Sequence, residues 1–283
     1  CHSISILIGV LGERINMAAL NSLRPAIRAL IRNPILIVIV GLYGLVQLPQ
    51  LALQPTQPVV AAIISLGITG LMLVVMPFFQ GGLLGMADEA LNGQTSLGTL
   101  VSEGKTNYLS LLLAYFALFA VNIVFGFIAF IAVLLGGIGL FAGDSQPSLA
   151  ALGVIAVVGL LFVLAYLLVV FFIQFYAHAI VLTDTTLVDG FKRSVSLVRQ
   201  NIVSTLGYTL LLLVGSLVFG GIGSIASLLL SPQATELPLP DVSLPMLAVA
   251  AIVYVVALAI LGAFYATYSV AFYRSIEQKT HSG

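Results

Sequence analysis

The chain has 283 residues, of which 60% are hydrophobic and only 7% are charged. A soluble domain carries roughly 25% charged residues, so this composition argues against a water-soluble fold. Ten basic and ten acidic residues cancel, which removes the usual electrostatic signal of a nucleic-acid-binding protein, and the single Cys1 excludes an intramolecular disulfide.

The N-terminus of the sequence is atypical. It opens on Cys1 rather than on methionine, and Met17 is a candidate start, so we treat residues 1–19 as an extension that need not be native. Its apolar run ISILIGVLG is too short to cross a bilayer, because a transmembrane helix needs about 20 residues. A lipid-modified N-terminal cysteine is the alternative interpretation.

Long uncharged intervals predict six membrane spans. The interval from Arg32 to Asp88 holds two of them, because QLPQLALQPTQP in its middle combines three prolines with four glutamines and predicts a turn. The remaining intervals each hold one span. We place the spans at 34–53, 59–86, 108–138, 150–181, 202–230 and 246–273.

Lysine and arginine alternate between the connections. They occur in the N-terminal flank, after spans two and four, and in the C-terminal flank, whereas the other three connections contain none. By the positive-inside rule, both termini are cytoplasmic in a multi-pass plasma-membrane protein.

Three basic or polar segments resemble one another. LRPAIRALIRNP, LGTLVSEGKTNY and FKRSVSLVRQNI align on Asn33, Asn107 and Asn201, with apolar residues at helical spacing before each asparagine. Gln80 and Gln174 each lie 27 residues before the asparagine of the next segment. In the third segment, Thr186 and Asp189 form a capping-box pattern, as at the start of a helix. Each segment is therefore predicted to be an amphipathic interfacial helix; ordinary surface helices that link two spans are the alternative.

The predicted fold is an all-α integral membrane bundle with an internal threefold repeat, each unit being an interfacial helix followed by a transmembrane hairpin. The units are 20–90, 91–183 and 184–275, and 276–283 form a cytoplasmic tail of the one membrane domain.

Three groups of side chains are candidate contacts. Basic residues of the first and third interfacial helices are predicted to bind anionic lipid headgroups: Arg24, Arg28, Arg32, Lys192, Arg193 and Arg199. Polar residues near or within spans are predicted to line a cavity or bond between helices: Gln80, Asn122, Gln174 and His178. Small residues at intervals of four in span five are predicted to pack against another helix: Ser216, Gly220 and Ser224. A substrate-conducting seam is the alternative for this last group.

The sequence lacks the usual catalytic patterns. It has no paired-histidine metal spacing, no GxSxG elbow and no P-loop, and no charge lies at the middle of a predicted span. We therefore predict no enzymatic activity, no metal and no cofactor. The expected partners are the lipid bilayer, with anionic headgroups, and a second copy or another membrane protein, but no nucleic acid.

A resemblance to a known protein family rests on two stretches, GFKRSVSLVRQNIVSTLGY and GGLLGMADEALNGQTSLGTLVSEGKTNYLSLL. Over about residues 18–275 the chain resembles uncharacterised six-span proteins of archaea and bacteria, which are related to the membrane domain fused to some glycerophosphodiester phosphodiesterases. The stretch GLLGMADEALNG resembles archaeal sequences in particular. The resemblance implies the six-span fold. It transfers no hydrolase activity, because no soluble stretch here is long enough for the phosphodiesterase domain. The predicted function is a membrane scaffold, accessory or lipid-interacting module. A small-molecule or lipid transporter is the alternative, and an intramembrane enzyme comes third.

Overall fold

The computed structural model describes residues 18–53, 58–141, 149–230 and 244–281. These residues are almost entirely α-helical, and no strand occurs among them. The predicted extension before residue 18 and the connections around Pro55, Asp144 and Glu236 lie outside the described residues. The helices are α1 (Ala18–Arg32), α2 (Ile35–Leu53), α3 (Pro58–Asn92), α4 (Leu97–Thr106), α5 (Tyr108–Phe141), α6 (Leu149–Ile173), α7 (Tyr176–Thr183), α8 (Leu187–Gln200), α9 (Ile202–Leu230) and α10 (Leu244–His281).

Apolar helices dominate the fold. Four described segments are long and apolar enough to cross a membrane: Ser65–Asn92, Tyr108–Leu134, Leu152–Thr183 and Ala251–Thr280. Two bent pairs raise the number to six if each pair counts as one span, namely α1 with α2 at 84° and α8 with α9 at 102°. The prediction of an all-α protein with several membrane-spanning helices is therefore confirmed at the level of four to six apolar helices.

The most apolar stretches of α5 and α6 contain no buried residue. Phe127 and Leu161, for example, are 63% and 60% exposed. Leaving apolar surface in water is unfavourable by about 25 cal/mol per Å², so such faces need an apolar solvent. A bilayer supplies it, and the helical backbone leaves no unpaired N–H or C=O group in the hydrocarbon.

The helices α1, α4 and α8 each pack on another helix. A Cβ on Gly104 of α4 would lie 2.8 Å from the Phe78 ring of α3, and one on Gly190 of α8 would lie 2.8 Å from Ile180 of α7. In the same way, α1 contacts α10, where Tyr268 Oη donates to the Ala19 carbonyl at 3.1 Å. We call the part of the molecule formed by α1, α4, α7, α8 and the C-terminal parts of α3 and α10 the basic end.

The helix predicted at 150–181 is interrupted, which the sequence did not predict. The break falls at Gln174 and Phe175, between α6 and α7. Ser194 of α8, fully buried, replaces the missing helical bonds: its Oγ accepts from the Phe175 N–H at 3.0 Å and donates to the Phe172 carbonyl at 2.9 Å. The interruption therefore depends on a residue from another helix.

The capping box predicted at Thr186 and Asp189 is confirmed at the start of α8. Thr186 caps α8, its Oγ1 accepting from the Asp189 N–H at 3.4 Å and donating to Asp189 Oδ2 at 2.7 Å. The preceding helix, α7, ends on Asp184 in the left-handed conformation, with φ 48°. A carboxylate in the first turn of α8 also suits the positive end of the helix dipole.

Candidate functional site

A cavity of about 730 Å³ lies between α3, α9 and α10, beside the break between α6 and α7. Its walls are mainly apolar and include Leu83, Leu212 and Phe264. Its polar groups include the Gln80 and Gln174 amides, the His178 ring and the hydroxyl groups of two serines and three tyrosines, and none of the described lining residues is charged. This volume falls in the usual range for small-molecule sites, roughly 300–1,000 Å³.

His178 is buried at the polar side of this cavity, only 8% exposed. Its Nε2 lies 3.0 Å from Ser269 Oγ. Its ring meets Phe175 edge-on at 5.5 Å between centroids and stacks on Tyr273 at 5.6 Å. The Ser269 hydroxyl donates to the Ala266 carbonyl at 2.9 Å, so its single proton is already used. Ser269 Oγ therefore accepts from His178, and the neutral ring carries its proton on Nε2.

Two buried atoms on the cavity residues have no hydrogen-bond partner among the described residues: Gln80 Oε1 and His178 Nδ1. With the His178 proton on Nε2, both atoms are hydrogen-bond acceptors. Gln174 differs from them: its Nε2 donates to the Phe171 carbonyl at 2.9 Å, and its Oε1 lies 3.4 Å from Thr209 Oγ1, whose hydroxyl also contacts the Thr205 carbonyl at 2.9 Å. A buried acceptor without a donor destabilises by about 1–3 kcal/mol, which makes these two atoms candidate ligand contacts.

Asn122 does not belong to this group. Its Nδ2 donates to the Leu118 carbonyl at 2.8 Å, and its Oδ1 accepts from Tyr166 Oη at 3.0 Å. It joins α5 to α6, on the outer side of the molecule, and is exposed. Of the four polar candidates, the structure thus brings Gln80, Gln174 and His178 together and assigns Asn122 the alternative role, a bond between helices.

Ser216 and Gly220 of α9 line the cavity, and their packing against another helix stays a prediction. A Cβ on Gly220 would meet no described atom within 4 Å, and Ser216 is exposed, its Oγ donating to the Leu212 carbonyl at 2.8 Å. The side chain of Ser224 lies outside the described part. Tight backbone packing occurs between α2 and α10, where a Cβ on Gly44 would lie 2.8 Å from Leu258.

Sequence reasoning missed Ser269, Tyr208 and Gly215 as lining residues. Ser269 lies in the segment YATYSVAFY, where hydroxyl groups interrupt an otherwise apolar span. That pattern is a signal for a polar site within α10. No comparable signal marks Gly215, because its role depends only on which way α9 faces.

The three basic residues of α1 lie on its outer side. Arg24, Arg28 and Arg32 are exposed and border an open groove together with Ile27 and Ile31. Ile31 is 75% exposed, between two arginines. Within the described residues none of the three arginines forms an ion pair. A similar groove on α8 includes Lys192, Val195 and Arg199.

Arg193 departs from the headgroup prediction, because it is half-buried in an ion pair. Its Nη2 lies 2.5 Å from Glu277 Oε1, and Glu277 in turn accepts from Arg274 at 3.2 Å. Burial alone would lower the pKa of Arg193, but the hydrogen bond that it donates to Glu277 helps to raise the pKa above its ordinary value. Arg274 also binds Asp88 through two bonds of 2.8 Å. These four residues connect α3, α8 and α10.

Lys192 also has a carboxylate partner. Its Nζ lies 3.8 Å from Asp189, one turn earlier on α8, and both side chains are well exposed. Exposed pairs of this kind contribute about 0–1 kcal/mol, so Lys192 can still meet a headgroup.

Asn33, Asn107 and Asn201 have the same local geometry. Each side-chain Nδ2 donates to the carbonyl four residues earlier, at 2.9 Å for Asn33 and 3.1 Å for the other two. Each backbone carbonyl accepts from an N–H of the helix that follows, at 2.9–3.1 Å. The three asparagines therefore join a short helix to a long one in the same way.

The residues that the structure describes contain no metal-binding cluster. Within them, no three His, Cys, Asp or Glu side chains are grouped so as to hold a metal ion.

Residues 17–276 match the sequence profile of a family described as a domain of unknown function, DUF7847. The chain belongs to this family. Its description names no activity and no link to glycerophosphodiester phosphodiesterases, so the resemblance to their membrane domain stays a prediction. Neither the curated proteins nor the solved structures include a match to the chain.

Proposed function

We propose that this protein is a non-catalytic, lipid-interacting integral membrane protein of six spans. Helices α1, α4 and α8 lie in the headgroup plane of the bilayer. The main support for this proposal is the outer face of α1, where Arg24, Arg28 and Arg32 are exposed beside Ile27 and Ile31. A helix in the interface accounts for both features, because its isoleucines enter the acyl region and its arginines meet anionic headgroups.

The bends support this arrangement. If α2 and α9 cross the bilayer close to its normal, then angles of 84° and 102° leave α1 and α8 nearly parallel to its surface. Following the positive-inside rule, the basic end faces the cytoplasm at the plasma membrane.

A threefold repeat is the architectural part of the proposal. The matching geometry of Asn33, Asn107 and Asn201 supports it, and so does the packing order. Helix α4 packs on α3, α8 on α7 and α1 on α10, so each short helix contacts the end of the preceding hairpin, with the first closing on the last. The three units are then parallel repeats about an axis along the membrane normal.

The test uses a tryptophan reporter, because the chain has no tryptophan. Ile31→Trp places one between Arg28 and Arg32 in protein reconstituted into mixed bilayers. Quenching by brominated phosphatidylglycerol should exceed quenching by brominated phosphatidylcholine. Adding Arg24→Gln, Arg28→Gln and Arg32→Gln should remove this preference, by about fivefold in relative association for each arginine.

Val133→Trp on α5 is the matched control, since Val133 is 74% exposed and distant from the basic helices in sequence. Its quenching should show no preference for anionic lipid. The preference at residue 31 should weaken with salt as the Debye length falls from about 30 Å at 0.01 M to about 10 Å at 0.1 M. Equal quenching by both lipids at low salt would refute the proposal.

Transport is the second candidate, and the 730 Å³ cavity supports it. A transporter must open its cavity to each side of the membrane in turn. Access of an impermeant thiol reagent to Ser216→Cys from both sides of sealed vesicles would favour transport. Access from neither side would reject it.

A further inference from the structure

We propose that the cavity between α3, α9 and α10 is a binding site for an uncharged single-chain amphiphile that carries hydroxyl groups, such as a monoacylglycerol. The inference goes beyond the surface binding proposed above and does not rest on it. It names a second, separate lipid site, inside the bundle, with a different headgroup preference.

The chemistry of the polar side defines the head group. Gln80 Oε1 and His178 Nδ1 are both acceptors without a donor among the described residues. A ligand that satisfies them must donate two hydrogen bonds, and a pair of hydroxyl groups does so. Since none of the described lining residues is charged, a charged head group would be buried without a counter-ion, which is strongly unfavourable.

The rest of the cavity defines the tail. Along α9 the lining residues run from Tyr208 to Gly220, a length of about 18 Å at 1.5 Å per residue. This is more than half of the ~30 Å hydrocarbon core. The walls along this length are mainly leucine, phenylalanine, glycine and tyrosine rings, with one serine, so an alkyl chain buries apolar surface along them, contributing about 0.8 kcal/mol for each CH₂ group.

Water alone does not fit this site. One or two water molecules can satisfy the two acceptors, but a water molecule in the apolar part of the cavity would lack the two to four polar partners that it needs. Leu211 and Tyr265, on the α9 and α10 walls, are 36% and 38% exposed, so the apolar part is open at its side. In a bilayer that opening faces hydrocarbon, from which a single chain can enter.

The experiment is photolabelling of the purified full-length protein in nanodiscs with a diazirine-bearing 1-monoacylglycerol. The labelled peptides should come from α3, α9 and α10. Unlabelled 1-monooleoylglycerol should compete, whereas methyl oleate, without a hydroxyl, and oleate, with a charge, should compete about tenfold less well. Labelling should not depend on salt, which separates this site from the arginine face of α1.

Gly215→Leu is the blocking variant. A Cβ at Gly215 meets no described atom within 4 Å, so a leucine there fills the cavity without a backbone clash. It should abolish the labelling, and Ser216→Leu should do the same. Gly159→Leu on α6 is the matched control, because its Cβ also meets no described atom and it does not line the cavity. Gln80→Met should reduce the advantage of monooleoylglycerol over methyl oleate by about two- to tenfold.

Three results would overturn the inference. The first is labelling confined to α5 and α6, which would indicate general contact with lipid. The second is equal competition by methyl oleate in the wild-type protein, which would leave water as the partner of the two acceptors. The third is unchanged labelling of the correctly folded Gly215→Leu variant, with folding checked by its thermal unfolding. Because the first two results come from the wild-type protein, misfolding of a variant cannot obscure them.

Discussion

Asn33 shows how a single polar side chain can be placed at a sharp bend between two helices. It is only 3% exposed. Its Nδ2 donates to the Ala29 and Gly93 carbonyls at 2.9 and 3.1 Å, and its Oδ1 accepts from the Thr95 N–H at 2.9 Å. The side chain thus ends α1 and also holds the loop that leads into α4. Buried polar groups with every bond made contribute to a unique arrangement, whereas a missing bond is costly.

Removing this amide should therefore destabilise the protein. We expect Asn33→Ala to lower the free energy of unfolding by about 1–3 kcal/mol, because the loop N–H and carbonyl lose their partners. Thermal unfolding in detergent, followed by far-UV circular dichroism, measures the effect. Asn201→Ala is the comparison, since Asn201 contacts its own helix and Thr280 at 3.3 Å but binds no loop backbone within the part of the chain that the structure describes. An equal or smaller effect at Asn33 would contradict this account.

Helix α4 is held against α3 by glycines rather than by large side chains. A Cβ on Gly82 would collide with the Leu100 carbonyl, and one on Gly85 would collide with the Glu103 side chain. Glycine at these positions lets the two helices approach closely. The main contacting element at Gly82 and Gly85 is therefore the short helix α4.

Gly82→Ala should separate α4 from α3. The added Cβ would meet the Leu100 carbonyl, which belongs to the backbone and cannot rotate away as a side chain could. We expect a loss of about 1–3 kcal/mol in the free energy of unfolding. Gly70→Ala, on the same helix, meets no described atom within 4 Å. It should be neutral or stabilising by up to about 1 kcal/mol, since alanine favours the helix. Matching stability changes in the two variants would contradict the packing account.

At the scale of the whole molecule, the bundle is densely packed at its basic end and has exposed apolar faces on α5 and α6. The buried aromatic side chains cluster at the basic end, where Tyr208 stacks on Phe272 at 4.4 Å between centroids. Arg274 adds a link between the first and last hairpins through its two bonds to Asp88. Because Arg274 and Asp88 are both partly exposed, we expect this pair to contribute modestly to stability.

Cysteine labelling tests the predicted arrangement in the membrane. In a Cys1→Ser background, Lys105→Cys and Lys192→Cys should react with an impermeant maleimide from one side of sealed vesicles. Leu149→Cys, at the start of α6, should react only from the other side, because α5 separates it from Lys105 by one crossing of the bilayer. Labelling of the two lysine positions from opposite sides would contradict both the topology and the repeat.

The sequence alone determined where the helices lie. The six predicted spans begin within two residues of α2, α3, α5, α6, α9 and α10, because a long uncharged stretch bounded by polar residues is a local property of the chain. The capping of α8 by Thr186 was predictable for the same reason, since its bonds join residues three apart.

Only the tertiary structure decided which side chains meet. Arg193 pairs with Glu277, 84 positions later, and Ser194 interrupts the helix before it, because α8 packs on α7 and α10. Ser216 and Gly220 line a cavity although their spacing predicts a contact. In a chain with so many apolar residues, the long helices are apolar on nearly all sides, so their sequences do not specify which face turns inward. The rotation of each helix, and with it the cavity, depends on all the others.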